Sequence, residues 1–159
     1  MKKLRRIISI LIVLVLFIGL LPMNLGVVKA EEALDDSFKL KDIRARAYDG
    51  DKWEDLTLNA VVFNEEKKEY EEFTTEFKSD IRKYRIYLDP KYEKIQFNIK
   101  KNSVEQKFGA TYADDNYKVD ANDNGDIVTI RPGISVLSVT VNNNIHAEYL
   151  VLINKTGNG

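Results

Sequence analysis

Along most of the chain beyond residue 40, apolar and polar residues alternate with a period of two. Ile43, Ala45 and Ala47 alternate with Arg44 and Arg46, and Leu56, Leu58, Ala60 and Val62 with Thr57, Asn59 and Val61. Tyr84, Ile86 and Leu88 alternate with Arg85 and Tyr87, and Ile95, Phe97 and Ile99 with Gln96 and Asn98. Successive side chains of a strand point to opposite faces, so each run predicts a strand with one face turned inward. Leu137, Val139 and Val141 against Ser138 and Thr140 make a further such strand, and Tyr149, Val151 and Ile153 against Leu150 and Leu152 another. The last is apolar on both faces, which predicts a central position or cover by a loop.

Between these runs lie turn formers: Asp49-Gly50-Asp51, Asn64-Glu65-Glu66, Asp89-Pro90, Asp114-Asp115-Asn116, Asn124-Gly125, Pro132-Gly133 and Asn142-Asn143-Asn144. Their intervals suit hairpins. Asn64 to Asp80 is rich in Glu and Lys and has room for one helical turn, but Tyr70, Phe73 and Phe77 fit short strands equally well. Seven or more short strands with regular turns predict an all-β domain, a two-layer antiparallel β-sandwich.

The first thirty residues follow a different rule. Lys2, Lys3, Arg5 and Arg6 precede a fifteen-residue apolar run from Ile7 to Leu21, and Val28-Lys29-Ala30 precedes Glu31 and Glu32. This is the pattern of a secretory signal peptide cleaved after a small residue. The run is shorter than the roughly twenty residues of a spanning helix, and Pro22 interrupts it, so stable membrane insertion after cleavage is not expected. Residues 1–30 are therefore read as a leader and 31–159 as one exported domain, large enough to bury a core. The leader holds five of the 24 basic residues and none of the 25 acidic ones, which leaves 19 against 25, a net charge of −6. An acidic balance opposes nucleic acid and anionic membrane surfaces as partners. The absence of cysteine excludes disulfides, thiolate metal sites, a cysteine nucleophile and a lipoprotein anchor. No wall-anchoring signal stands in Thr156 to Gly159, so release into the medium and non-covalent wall association both fit.

Three blocks carry a family likeness. Phe77, a seven-residue step to Tyr84 and the alternating Ile86 and Leu88 come first; Gly133, Ser135, Leu137, Val139 and Val141 follow; Ala147, Tyr149, Val151, Ile153 and Lys155 close the series. In that order they resemble the bacterial cadherin-like β-sandwich domain over residues 73–155, with Leu40 to Tyr48 as a first strand. The pattern departs from that family at Ser135, where asparagine is usual, and at Trp53 to Tyr70, which reads as an additional hairpin. The resemblance implies an Ig-like module of exported and cell-surface proteins, without catalysis of its own. The blocks themselves read as structural. Phe77 and Tyr84 bracket a turn, Gly133 permits a backbone conformation or a close approach, and Tyr149 buries its ring.

Candidate chemistry is sparse. Asp120, Asn122, Asn124 and Asp126, with Gly125 between the last two, match the opening of an EF-hand calcium loop. The twelfth position is Arg131, where such loops use a bidentate glutamate, and a plain Asn124-Gly125 hairpin turn accounts for the same residues. Calcium is the only cofactor the sequence suggests. Trp53, the single tryptophan, sits among charged residues as a platform for a sugar ring or as a lid on the core. Tyr48, Tyr92, Tyr112 and Tyr117 flank polar turns and extend such a platform where they share its face. His146 is the only histidine, and no G-x-S-x-G elbow, phosphate loop or H-E-x-x-H helix is present. The sequence thus points to a non-enzymatic secreted module that binds cell-wall polysaccharide or a surface protein. A spacer domain acting by self-association is the alternative, and a small glycan hydrolase built on paired carboxylates a lesser one.

Overall fold

A computed structural model of the chain describes residues 35–115, 118–120 and 126–157. After a 3-10 turn at Asp36–Phe38 the chain runs through eleven strands: β1 (Asp42–Tyr48), β2 (Trp53–Asp55), β3 (Leu58–Asn64), β4 (Glu69–Thr75), β5 (Lys83–Leu88), β6 (Lys94–Lys100), β7 (Phe108–Ala113), β8 (Lys118–Asp120), β9 (Ile127–Thr129), β10 (Gly133–Val141) and β11 (Asn144–Lys155). They form two sheets, one of four strands in the order β2-β1-β6-β9 and one of seven in the order β4-β3-β5-β11-β10-β7-β8. The fold is all-β and sandwich-like.

The alternation read from the sequence is the alternation of burial. In β1 and β6 the inward residues pair across the ladder, Ile43 with Ile99, Ala45 with Phe97 and Ala47 with Ile95, and all six are at most 4% exposed. In the larger sheet one inward row runs Ala60, Tyr84, Val151, Leu137, Tyr112 over five neighbouring strands, each fully buried. Phe97 of the small sheet meets Tyr112 of the large one with ring centroids 6.4 Å apart, so the two inner faces share a core. Removing such rings and branched side chains from water contributes about 1.5–3 kcal/mol each. β11, apolar on both faces, occupies the fourth of seven positions in its sheet.

Turn chemistry fixes the corners. Asn142 and Asn143 both adopt positive φ, 51° and 55°, the requirement of a two-residue type I′ turn, and join β10 to β11. Gly133 opens β10 at φ 111°, and a Cβ built there meets nothing within 4 Å. The glycine is needed for backbone conformation and not for close approach. Phe77 lies between Tyr84 and Tyr149, at 5.6 and 5.4 Å between centroids. The Tyr84 hydroxyl accepts from the Lys78 N–H at 2.8 Å and donates to the Lys78 carbonyl at 2.7 Å, so this ring does close the turn that precedes its strand.

Three expectations need correction. The sandwich is not wholly antiparallel: β5 and β11 pair in parallel, Tyr84 beside Val151 and Ile86 beside Ile153. The chain leaves β5 for the other sheet, so no hairpin ties β5 to its later neighbour and strand direction follows the crossings instead. For the same reason Asp89-Pro90 is a corner between sheets and not a hairpin turn. The hairpin of this region joins β3 to β4, residues 58–75, rather than running over 53–70. Trp53 to Asp55 joins β1 in the small sheet, because the Asp49 carboxylate accepts from the N–H groups of Asp51 and Lys52 and turns the chain back at once.

Candidate functional site

The outer face of the small sheet gathers chemistry that the sequence scatters over fifty residues. β1 buries Ile43, Ala45 and Ala47, so Arg44, Arg46 and Tyr48 must point outward. β2 pairs Trp53 with Tyr48 and Asp55 with Arg46, which places both on that same face. From the other side β6 pairs Gln96 with Arg46 and Asn98 with Arg44. A groove of about 340 Å³ runs over this surface, lined by Arg44, Arg46, Asp55, Gln96 and Asn98. Its size is at the small end of ligand sites, which run about 300–1,000 Å³.

Next to the groove on the same face stands an aromatic pair. Trp53 and Tyr48 stand 5.3 Å apart between centroids with planes tilted by 39°. Both are half-buried. Trp53 is therefore a member of the outer face, and the alternative of a lid on the core does not match its register. The Arg46 guanidinium lies over the indole, 5.1 Å from its centroid, and its Nε donates to Gln96 Oε1 at 2.5 Å. Tyr48 donates its hydroxyl proton to the Gly50 carbonyl at 2.8 Å, and the Lys94 ammonium lies 5.7 Å from its ring. Two rings held by their neighbours, with amides and guanidinium groups alongside, can stack on a flat apolar face and satisfy hydroxyls or anions beside it.

On the opposite phase of β2, at the same hairpin, is a charged cluster. Glu54 accepts from Lys52 Nζ at 2.7 Å, from Lys91 Nζ at 3.4 Å and from the Tyr92 hydroxyl. Hydrogen bonding to Lys52 and Tyr92 lowers its pKa to about 2. The Asp49 carboxyl is likewise held below its usual range by the N–H groups of Lys52 and Asp51. The bonds these carboxylates accept favour their ionised form and brace the β1–β2 hairpin.

The structure brings Tyr48 and Trp53 together and leaves the other candidates elsewhere. Tyr112 is fully buried against Phe97 and presents no ring to a ligand, because β7 runs through the position that the sequence suggested was a loop flank. Tyr92 is 9% exposed and spends its hydroxyl on Glu54. Tyr117, Asn122 and Asn124 lie outside the described residues, as does the side chain of Asp120, while Asp126 is exposed just before β9. The calcium loop is thus placed outside what the structure describes. Among the described residues no group of three or more His, Cys, Asp or Glu is placed to hold a metal ion. His146 is exposed, with its backbone N–H capped by Asn144 Oδ1 at 2.9 Å. Arg44, Arg46, Gln96 and Asn98 were missed as site residues. Their outward phase was readable, but the pairing of β1 with β6 was not. Comparison with protein-family models, with characterised proteins and with solved structures finds no match for this chain.

Proposed function

We propose that this chain is a secreted, non-catalytic module of the bacterial cell envelope, an Ig-like domain of the cadherin-like type, that binds wall glycan through the outer face of its small sheet. The observation that carries the reading is the Trp53–Tyr48 pair, set on the outer face beside a polar groove and joined to it by Arg46, instead of in the core. The clustering of Phe77, Tyr84 and Tyr149 supports the family resemblance, since it draws two of the three resembling blocks around one ring stack. The signal-peptide pattern of residues 1–30 supports export. Among the residues that line the groove Asp55 is the one carboxylate, where glycoside hydrolysis uses a pair, and this favours a binding role.

Self-association through sheet edges is the weaker reading. β4 is the long edge of the large sheet, yet it carries Glu69, Glu71 and Glu72, and β2 and β9 at the edges of the small sheet are three residues each. Charged or short edges oppose strand addition by a second copy. The deciding experiment is co-sedimentation of the purified protein with isolated bacterial cell walls, comparing the native chain with Trp53→Ala. Retention that drops about tenfold in the variant, while its urea transition stays cooperative with the native m-value, supports the reading. Equal retention removes Trp53 as the contact, and repetition with a chelator assigns or dismisses a part for calcium.

A further inference from the structure

The outer face of the small sheet is cationic on an acidic domain. Its outward positions include Arg44, Arg46, Lys94 and Lys100 against Asp42 and Asp55, four basic residues against two acidic. The expected mature chain carries a net charge of −6, so the remaining surface is more negative still. The side chain of Arg44 is 75% exposed although its Nε is paired with Asp42 at 2.7 Å. Arg46 is fixed twice, by its stack on Trp53 and by Gln96, which orients the planar fork before any ligand arrives. A guanidinium whose rotamer is already set loses less entropy on pairing, and its geometry matches the oxygens of phosphate or carboxylate.

We infer that the ligand of this groove is an anionic carbohydrate polymer, whose phosphate or carboxylate oxygens meet Arg44 and Arg46 while a neighbouring sugar or polyol unit lies against Trp53 and Tyr48. This rests on the wall-binding reading and makes it more specific: charge complementarity selects the anion-bearing strand over a neutral glycan. Outward positions of one strand repeat every two residues, roughly 6.6 Å, so Arg44 and Arg46 can reach successive parts of one extended chain. Both arginines are on the solvent phase of β1, and their exchange for glutamine leaves the inward Ile43, Ala45 and Ala47 untouched.

The test uses the full protein and three wall preparations: intact, treated with hydrogen fluoride to remove phosphodiester-linked polymers, and amidated to neutralise carboxylates. The native chain is compared with Arg44→Gln/Arg46→Gln at low salt and near 1 M salt, where the Debye length falls to about 3 Å. The expected result is a tenfold or larger loss of retention in one of the two modified preparations, in high salt, and in the double variant, with the urea transition of the variant still cooperative at the native m-value. Loss after hydrogen fluoride identifies phosphate as the anion, and loss after amidation identifies carboxylate. Equal retention on all three preparations, or retention unaffected by the arginine exchange, overturns the anionic ligand while the wall-binding reading stands. No retention even on intact walls overturns both.

Discussion

Exchanging Tyr149 for phenylalanine isolates one oxygen atom on which two distant parts of the chain depend. The hydroxyl accepts from the Leu40 N–H at 3.1 Å and donates to the Ser79 carbonyl at 2.6 Å, so it joins the segment before β1 to the turn before β5. Leu40 is 1% exposed, and water cannot replace the lost acceptor there. A buried donor left unpaired costs about 1–3 kcal/mol, and the half-buried Ser79 carbonyl adds about 0.5–1 kcal/mol for its lost bond. The ring still packs on Phe77 and under Arg82, 4.2 Å from its centroid, so no cavity opens. The expected loss is about 2–3 kcal/mol, or roughly 8–12 °C in Tm for a domain of this size. Tyr84→Phe is the control. It removes two bonds of similar length, but both go to Lys78, which is exposed and can turn to water, so about 1 kcal/mol is expected. Urea midpoints of the two variants, at constant m-value, decide the matter. If Tyr149→Phe costs no more than Tyr84→Phe, the buried bridge to Leu40 does not hold in solution and the reasoning fails.

Further outcomes follow from the same physics. Gly133→Ala places a Cβ at φ 111°, where nothing clashes but the conformation itself is strained, and should cost about 1–3 kcal/mol in urea unfolding. Gln106→Leu removes the side chain that donates to the Ser37 and Lys39 carbonyls at 2.7 and 2.9 Å and accepts from the Asn102 N–H at 2.8 Å. With Gln106 only 3% exposed, a loss of about 2–4 kcal/mol is expected, read from the urea midpoint. At alkaline pH, burial raises the Tyr84 pKa from 10.0 to about 12, and that of Tyr149 in the same direction. Between those values the unfolded chain has released the proton and the folded chain retains it. The stability contribution is therefore complete below pH 10 and lost as pH rises through about 12, and Tyr84→Phe should flatten that alkaline limb in a series of urea midpoints.

What could be read from the sequence divides along the range of the forces involved. β1, β3, β5, β6, β10 and β11 each bury one face, and burial imposes a period of two on seven or so residues, which is why Ile43 to Ala47 or Leu137 to Val141 announce themselves. β2 and β9 are three residues long and hold too little pattern to read. β7 was hidden because Gly109 and Ala110 dilute its alternation, and Tyr112 was accordingly assigned to a polar loop flank when its phase with Ala110 turns it into the core. Gln106 gave no signal either, since a buried amide is recognised only by its distant partners. The groove was half legible: Arg44, Arg46, Gln96 and Asn98 were known to face away from the core, but only the β1–β6 register brings them to one surface.

The two phases of β1 and β6 separate the core from the proposed recognition surface. Ile43, Ala45 and Ala47 with Ile95, Phe97 and Ile99 hold the small sheet to the large one, and none of them reaches solvent to a useful extent. Arg44, Arg46 and Tyr48 with Lys94, Gln96 and Asn98 form the opposite face, where their exchange removes mainly surface interactions of well under 1 kcal/mol each. The alternation that makes the strand thus supplies two independent sets of positions, one constrained by packing volume and the other open to the proposed ligand. The rings beside the groove are the exception. Trp53 lies on an edge strand of three residues, and β2 is held by Tyr48, Arg46 and the Asp49 and Glu54 carboxylates as much as by its ladder. Binding and local stability are therefore coupled at the β1–β2 hairpin alone: ligand contact with Trp53 should slow amide exchange in residues 53–55 and leave the β10–β11 core unchanged.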